Sequence, residues 1–600
     1  MLLHKGPMTE SKTRQPNLYQ NGVIVLAALL VYLPALRNGF AFDDWILLVQ
    51  NPLISARDGL HRIWFTTQAP DYYPVTWSFW WLQWRLWGAN PLGYHVVNLV
   101  IHTVNAVLVA QVLRKLDVRG AWFAALIFAL HPVNVATVAW ISEQKTTLSM
   151  FFFLITVLAY LRFDNTGRWR SYITSIVSFL LSLLTKPAAI MWPIVLIGLV
   201  WWKRRRVTRR DLVLAVPYTA CSMVIAPLTV WFQAVRVLGG QPARTDGFLA
   251  RLAGAGWAAW FYLGKVLLPV RLCMIYPQWN INPSKILVYL PALLLVATLV
   301  YCWVKRRTWG RNILAGVGYF LLMLFPVLGF FDQGFYRYSL VSDQWQYVPI
   351  IGVIALVVSS SVLIVEKYRQ SLGRGARVVG TVVVIALGVL TWKQSLIYFN
   401  DETLWRDTIA KNPNAWLAHY NLGVTLATQG QSSEAINEFQ AALRVKPDYA
   451  DALDNLAIAA LQQGQVKEAL GYWQSAVHYQ PDDVDALNNL GATYAGQSDL
   501  HHAALYFSLV LILKPEDVDA HMNLGTVYLN QNKPAKAAEQ FRAATRADPH
   551  AVQAWQSLGF ALASLGRFPE AIDAFQQALH LDPMNAAARD ALQRLGAITR

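Results

Sequence analysis

Apolar residues dominate the first 400 positions in long unbroken runs, at 22–36, 95–113, 121–140, 147–162, 172–184, 187–202, 212–232, 286–304, 313–331, 348–365 and 378–397. Runs of this length and character are membrane solvent patterns, and they predict about eleven crossing helices. A further apolar stretch at 257–270 predicts a re-entrant or interfacial helix. Counting it as a crossing would put the basic run 305–307 on the wrong side. After residue 400 the pattern changes to short amphipathic segments with a fixed period.

That period is marked by Pro413, Pro447, Pro481, Pro515, Pro549 and Pro583, spaced 34 residues apart, which is the repeat length of tetratricopeptide helix pairs. Ala435 and Pro447 recur at equivalent positions in later repeats, as do Gly423 and Phe439 except for Ala457 and Trp473 in the second repeat. Small residues let the two helices of a repeat approach, the aromatic fills the gap, and the proline ends the second helix. The fold class expected is all-α: a polytopic bundle followed by a C-terminal helical solenoid. The expected domains are a cytoplasmic tail at 1–20, a transmembrane domain at 21–398 with its first outer loop at 38–94, and a repeat domain at 399–600. The last comprises a half repeat at 403–413, five repeats at 416–583 and a capping helix at 584–600.

Charge refines this picture. The net charge is +16 and resides in the membrane half; the repeats are net acidic. Basic residues cluster in short loops that fall on one side when the N-terminus is cytoplasmic, which predicts an N-in, C-out integral membrane protein with its repeats outside the cytoplasm. Basic loops beside membrane lipids account for the charge, so no nucleic-acid partner is expected. Cys221, Cys273 and Cys302 form neither a disulfide framework nor a metal motif.

Acids are scarce in the outer loops of the membrane half, which makes each one informative. Asp43 and Asp44 follow the first span. Adjacent carboxylates raise one another's basicity, suiting one to take a proton from a hydroxyl; they can also hold a divalent cation, or cap a short helix beginning at Trp45. The Trp-rich run 77–87 reads as an amphipathic helix on the outer leaflet, most of its tryptophans forming an aromatic belt, with Arg85 available to a lipid phosphate. His131 precedes Pro132 inside the third span and reads as a hydrogen-bonded kink. Glu143 and Lys145 are an ion pair or ligand contacts. Lys186 is a lone cation between two spans, placed to bind phosphate or to reach the headgroups. Arg337, Asp343 and Gln344 return to the same face in the last outer loop. Metal ligands are not otherwise readable.

Several motifs occur in a telling order: Phe42-Asp43-Asp44, Tyr73-Pro74-Val75-Thr76, Asn90-Pro91-Leu92-Gly93-Tyr94-His95, Ala129-Leu130-His131-Pro132-Val133, Trp140-Ile141-Ser142-Glu143, Leu184-Thr185-Lys186-Pro187 and Tyr347-Val348-Pro349. Together with the repeats, they make the chain resemble the transmembrane-and-tetratricopeptide-repeat O-mannosyltransferases and their bacterial relatives. The resemblance implies a C-type glycosyltransferase bundle that uses a polyprenyl-phosphate sugar donor. It also implies that Asp43 or Asp44 is the catalytic base, with Lys186, Arg337 and Arg85 as donor-phosphate ligands by position. Glu143, Lys145, His131 and Asp343 are further pocket candidates. Tyr73 stands where many relatives have Arg, and Gln144-Lys145-Thr146 replaces a run that often carries Arg and Asp.

The expected function is transfer of a sugar from a polyprenyl-phosphate carrier to a hydroxyl outside the cytoplasm, in a bacterial inner membrane, with a protein or peptide acceptor held in the repeat groove. Two alternatives stay open: a non-catalytic scaffold anchored by the bundle, and transfer to a glycan or lipid acceptor.

Overall fold

The computed structural model describes residues 18–598, and most of the expected cytoplasmic tail lies outside them. The described residues are helices and their connections, with no strand among them. Two compact units divide between Asn421 and Leu422.

The first unit is the membrane half. Its principal helices are α1 (Leu18–Val31), α2 (Pro74–Trp87), α3 (Pro91–Lys115), α4 (Gln144–Thr166), α5 (Trp169–Thr185), α6 (Trp192–Arg204), α7 (Arg209–Phe232), α8 (Phe248–Leu267), α9 (Gly310–Leu324), α10 (Ile350–Lys367), α11 (Arg369–Ile397) and α12 (Asp401–Lys411). Seven helical segments among the described residues are long and apolar enough to cross a membrane. An eighth arises if Ala121–Ala129 and Pro132–Ala139, bent by 49° between them, form one broken span. The sequence led us to expect about eleven. The difference lies in α1, α5 and α6, which have 14, 17 and 13 residues. At about 1.5 Å per residue they reach less than the ~30 Å of a hydrocarbon core. Prolines explain the shortness: Pro34 and Pro187 open 3₁₀ turns at the ends of α1 and α5, and Pro193 lies in the first turn of α6.

Two local expectations are corrected. Of the two forms expected for 257–270, the re-entrant one is excluded: the segment belongs mostly to α8, one unbroken 20-residue helix whose Ala250, Ala253, Gly254 and Ala258 face is buried, and it is not among the seven long apolar spans. In α2, Trp77 and Trp80 are core residues rather than a lipid-facing belt, packed with Phe40, Leu48, Leu53 and Tyr94. The outer loop therefore has a hydrophobic core of its own.

The second unit is a run of paired helices. A Cβ added to Gly423 would lie 2.6 Å from the Phe439 ring, and one on Gly491 would lie 2.8 Å from Phe507, so glycine and aromatic interlock in these repeats; the second repeat has Ala457 and Trp473 at the same positions. Ala435 and Phe439 are both buried. Pro447 follows the C-cap Lys446 of helix Ser432–Val445, where a missing backbone N–H costs nothing.

Candidate functional site

The loop after α1 is folded by its own side chains. Phe42 adopts a left-handed backbone conformation with φ 53°, a strained choice for an aromatic residue. It is held there from three sides: its N–H donates to Asp401 Oδ1 at 2.7 Å, and its ring packs against Trp140 and Trp405. Asp401 Oδ2 also accepts from Trp45 Nε1. The strained residue turns the next two side chains inward.

Asp44 is 1% exposed. Its Oδ1 accepts from the Ser142 N–H at 2.7 Å and from the Ser142 hydroxyl, and its Oδ2 accepts from the Ala41 N–H at 3.0 Å. Although a short helical turn does begin at Trp45, the Asp44 side chain makes no capping bond to it, so the capping role is corrected. Asp43 differs: its Oδ1 is buried with no hydrogen-bond partner. Burial pushes Asp43 up to about 6, opposed by Lys145 and a hydrogen bond from Ser142. Burial, and then the charge of Asp43, push Asp44 up to about 8. Asp44 is thus a structural anchor, whereas Asp43 has a lone pair to offer.

Beside the doublet lies a second charged group. Lys186 Nζ donates to Glu143 Oε2 at 2.9 Å, to Oε1 at 3.2 Å and to Thr146 Oγ1 at 2.7 Å. Lys145 Nζ stands 3.6 Å from Glu143 Oε1. Lys186 is therefore not the lone cation expected, because Glu143 binds both lysines. Lys145 links the two groups, acting electrostatically on Glu143, Asp43, Asp71 and Asp44. Burial pulls Lys186 below the ordinary lysine range, and Glu143 opposes this. Four carboxylates and two ammonium groups share one buried neighbourhood, an arrangement typical of functional sites.

Lys186 and Thr146 also line a cavity of about 430 Å³. Its walls are apolar, from Ile190, Met191, Pro193, Met223, Ala226 and Val230, while its polar lining includes Tyr73, Lys186, Gln233 and Gln344. The cavity thus combines a long apolar wall with an ammonium group.

Other expected residues stand elsewhere. Arg85 donates to the carbonyls of Ile54 and Ala56 and stacks on Trp81 at 3.4 Å, which commits its guanidinium to the outer-loop fold. Arg337 donates to the Leu238 carbonyl. His131 Nε2 is paired with the Val266 carbonyl at 3.0 Å, as suits a kink. Asp343 accepts from Tyr276 OH at 2.9 Å, and burial pushes it up to about 7; its charged neighbours are Lys265 and Lys411. A divalent cation at Asp43 and Asp44 meets a poor donor set, since both Asp44 oxygens are already bonded. No group of three or more His, Cys, Asp or Glu is placed to hold a metal among the described residues.

Sequence reasoning gave Ser142, Thr146 and Asp71 no role of their own in the site and did not single out Gln233. Gln233 Nε2 donates to Asp71, joining the end of α7 to the loop before α2. Thr146 was detectable, lying one helical turn beyond Glu143. Gln144 is also explained: it accepts from Trp80 Nε1 and Gln83 Nε2 and ties α2 to α4.

The architecture defines a polytopic membrane protein carrying tetratricopeptide repeats, with a buried charge cluster beside an apolar cavity. Comparison with known proteins agrees. Residues 70–231 match the family model described as dolichyl-phosphate-mannose-protein mannosyltransferase. Residues 402–450, 426–473, 455–518 and 522–594 match the tetratricopeptide repeat. The chain is similar to a protein O-mannosyl-transferase of Caenorhabditis elegans, 24% identical over 71% of this chain and 63% of the relative. It is also similar to Protein O-mannosyl-transferase TMTC1 of Homo sapiens, 25% identical over 75% of this chain and 58% of the relative. The resemblance read from the motifs is borne out, and the aligned chain spans about six-tenths of these relatives' length. Among solved structures, YrrB, a tetratricopeptide protein with an unusual peptide-binding site, is 20% identical, with a TM-score of 0.29 over 32% of this chain and 97% of its own.

Proposed function

We propose that this chain is a membrane glycosyltransferase that moves a sugar from a polyprenyl-phosphate donor to a hydroxyl acceptor on protein, outside the cytoplasm. The observation that carries the reading is the placement of Lys186, which lines the apolar cavity and belongs to the same charge cluster as Asp43. A prenyl chain suits the apolar wall, and its phosphate suits the ammonium end.

In the reaction, Asp43 takes the proton of the acceptor hydroxyl through its unpartnered oxygen. The hydroxyl oxygen attacks the anomeric carbon as the bond to the phosphate oxygen breaks, inverting that carbon. The negative charge gathering on the leaving phosphate is met by Lys186, with Lys145 close behind. Glu143 holds the two ammonium groups together. The names of the relatives favour mannose and a protein acceptor, and the repeats offer a peptide-binding surface. With α1, α5 and α6 counted among the crossings, as the eleven apolar runs have them, the bias of basic residues in short loops supports use of the donor outside the cytoplasm and, with the bacterial resemblance, an inner-membrane location.

The test is reconstitution of the full chain with polyprenyl-phosphate mannose and a peptide library. Transfer is expected, and Ala226→Trp, which fills the cavity, should abolish it for a long-chain donor while sparing one cut to a short prenyl chain. Equal loss for both donors, or no effect on either, contradicts the cavity assignment.

A further inference from the structure

A second cavity lies between α3, α4, α6, α9 and α10. It measures about 290 Å³, and Val109, Phe153, Leu199, Tyr319 and Leu356 contribute to its apolar wall. Its charged lining residues, Asp117 and Arg119, stand at one end of these helices, together with Trp202 and Asn312. Trp202 Nε1 donates to Asn312 Oδ1 at 2.9 Å, tying the last turn of α6 to the first turn of α9. The same two helix ends carry Arg205, the left-handed C-cap of α6 with φ 60°, and Arg311.

These arginines differ from their neighbours. Arg204 pairs with Asp164 and Asp211, and Arg119 pairs with Glu366. Neither Arg205 nor Arg311 forms an ion pair among the described residues. Arg311 Nε is buried without a hydrogen-bond partner, and the charge that acts on Arg311 is the like charge of Arg205. Arg311 immediately precedes the lining residue Asn312, and Arg205 follows the lining residue Trp202 by three positions; two guanidinium groups with no acid partner beside the cavity call for an anion, and a buried unmet N–H calls for an acceptor oxygen.

We propose that this cavity is a second lipid site, in which Arg205 and Arg311 hold the phosphate of an anionic glycerophospholipid while one acyl chain lies along the wall between α6, α9 and α10. The basic residues crowded at this end, Lys203, Arg206, Arg209 and Arg210 on one side and Lys305, Arg306 and Arg307 on the other, favour an anionic headgroup over a zwitterionic one. Asp117 on the rim disfavours a second negative charge beside it. This site is independent of the donor reading: it shares α4, α6 and α9 with the first cavity but none of its charged residues.

The experiment uses the full chain in nanodiscs with a phosphatidylglycerol probe carrying a diazirine midway along one acyl chain. Crosslinks are expected on 195–202 and 315–319, and the paired change Arg205→Gln with Arg311→Gln should weaken them about tenfold or more, from two lost contacts to an anionic lipid. A phosphatidylcholine probe should label these segments weakly. Ala315→Phe, which leaves the arginines in place and fills the wall, should also remove the labelling; it decides the matter if the arginine variant does not fold. Equal labelling by phosphatidylcholine, retention of labelling in both variants, or labelling there by a polyprenyl-phosphate probe alone would overturn the proposal.

Discussion

Glu143 Oε2 lies 2.9 Å from Lys186 Nζ, and Oε1 of the same carboxylate lies 3.6 Å from Lys145 Nζ. One carboxylate therefore holds two cations, in a neighbourhood they share with Asp43, Asp44 and Asp71. The arrangement sets the Lys186 ammonium in the wall of an apolar cavity.

Lys186→Gln removes the cation nearest the leaving group. Loss of one such stabilising donor lowers kcat by about 10²–10³, and initial-rate kinetics at saturating donor would show it. Glu143→Gln has a different consequence: two buried ammonium groups lose their shared partner, which destabilises a fold by about 3–5 kcal/mol. Thermal melting should register Glu143→Gln strongly and Lys186→Gln weakly.

The pH dependence follows from Asp43. A general base works deprotonated, and burial raises this carboxyl from 3.8 to about 6. Activity is accordingly expected to be present above pH 6 and to fall, one proton at a time, as pH drops through that value. Lys145→Gln removes the largest influence holding Asp43 down, so the inflexion of kcat/KM should move to higher pH. An inflexion near 4 in the unaltered protein would contradict the assignment.

In the repeats, Gly491→Val drives a side chain into the Phe507 ring, where even a Cβ would stand at 2.8 Å. Overpacking of this kind costs about 1–3 kcal/mol. Gly496→Ala is the opposite case, because its Cβ meets nothing within 4 Å in the last turn of helix Val484–Gly496, and the loss of unfolded-state freedom stabilises by about 0.4–1 kcal/mol. Denaturant melts of the two variants should shift in opposite directions.

Periodic features were legible in the sequence, and three-dimensional ones were not. The proline spacing and the interlocked Gly423 and Phe439 follow from repetition, which carries its own register. Asp43, Asp44, Glu143, Lys145 and Lys186 were recognisable because charges are rare in this half. Their partition was not. That Asp44 is saturated by Ser142 and Ala41 while Asp43 is left with a free oxygen depends on a contact across 98 residues, which no local pattern encodes. Arg85 was misjudged for a similar reason, since its carbonyl partners lie about 30 residues upstream in short turns with weak signals. The span count diverged at α1, α5 and α6, where Pro34 and Pro193 shorten the helix inside an apolar run and Pro187 stops α5 from continuing.

The most direct measurement compares Asp43→Asn with the unaltered chain, in single-turnover transfer from polyprenyl-phosphate mannose after donor binding has been confirmed. The account predicts intact binding and a rate about 10²–10⁴ lower, with Asp44→Asn distinguished by a loss of folding stability. Undiminished transfer by Asp43→Asn would contradict it.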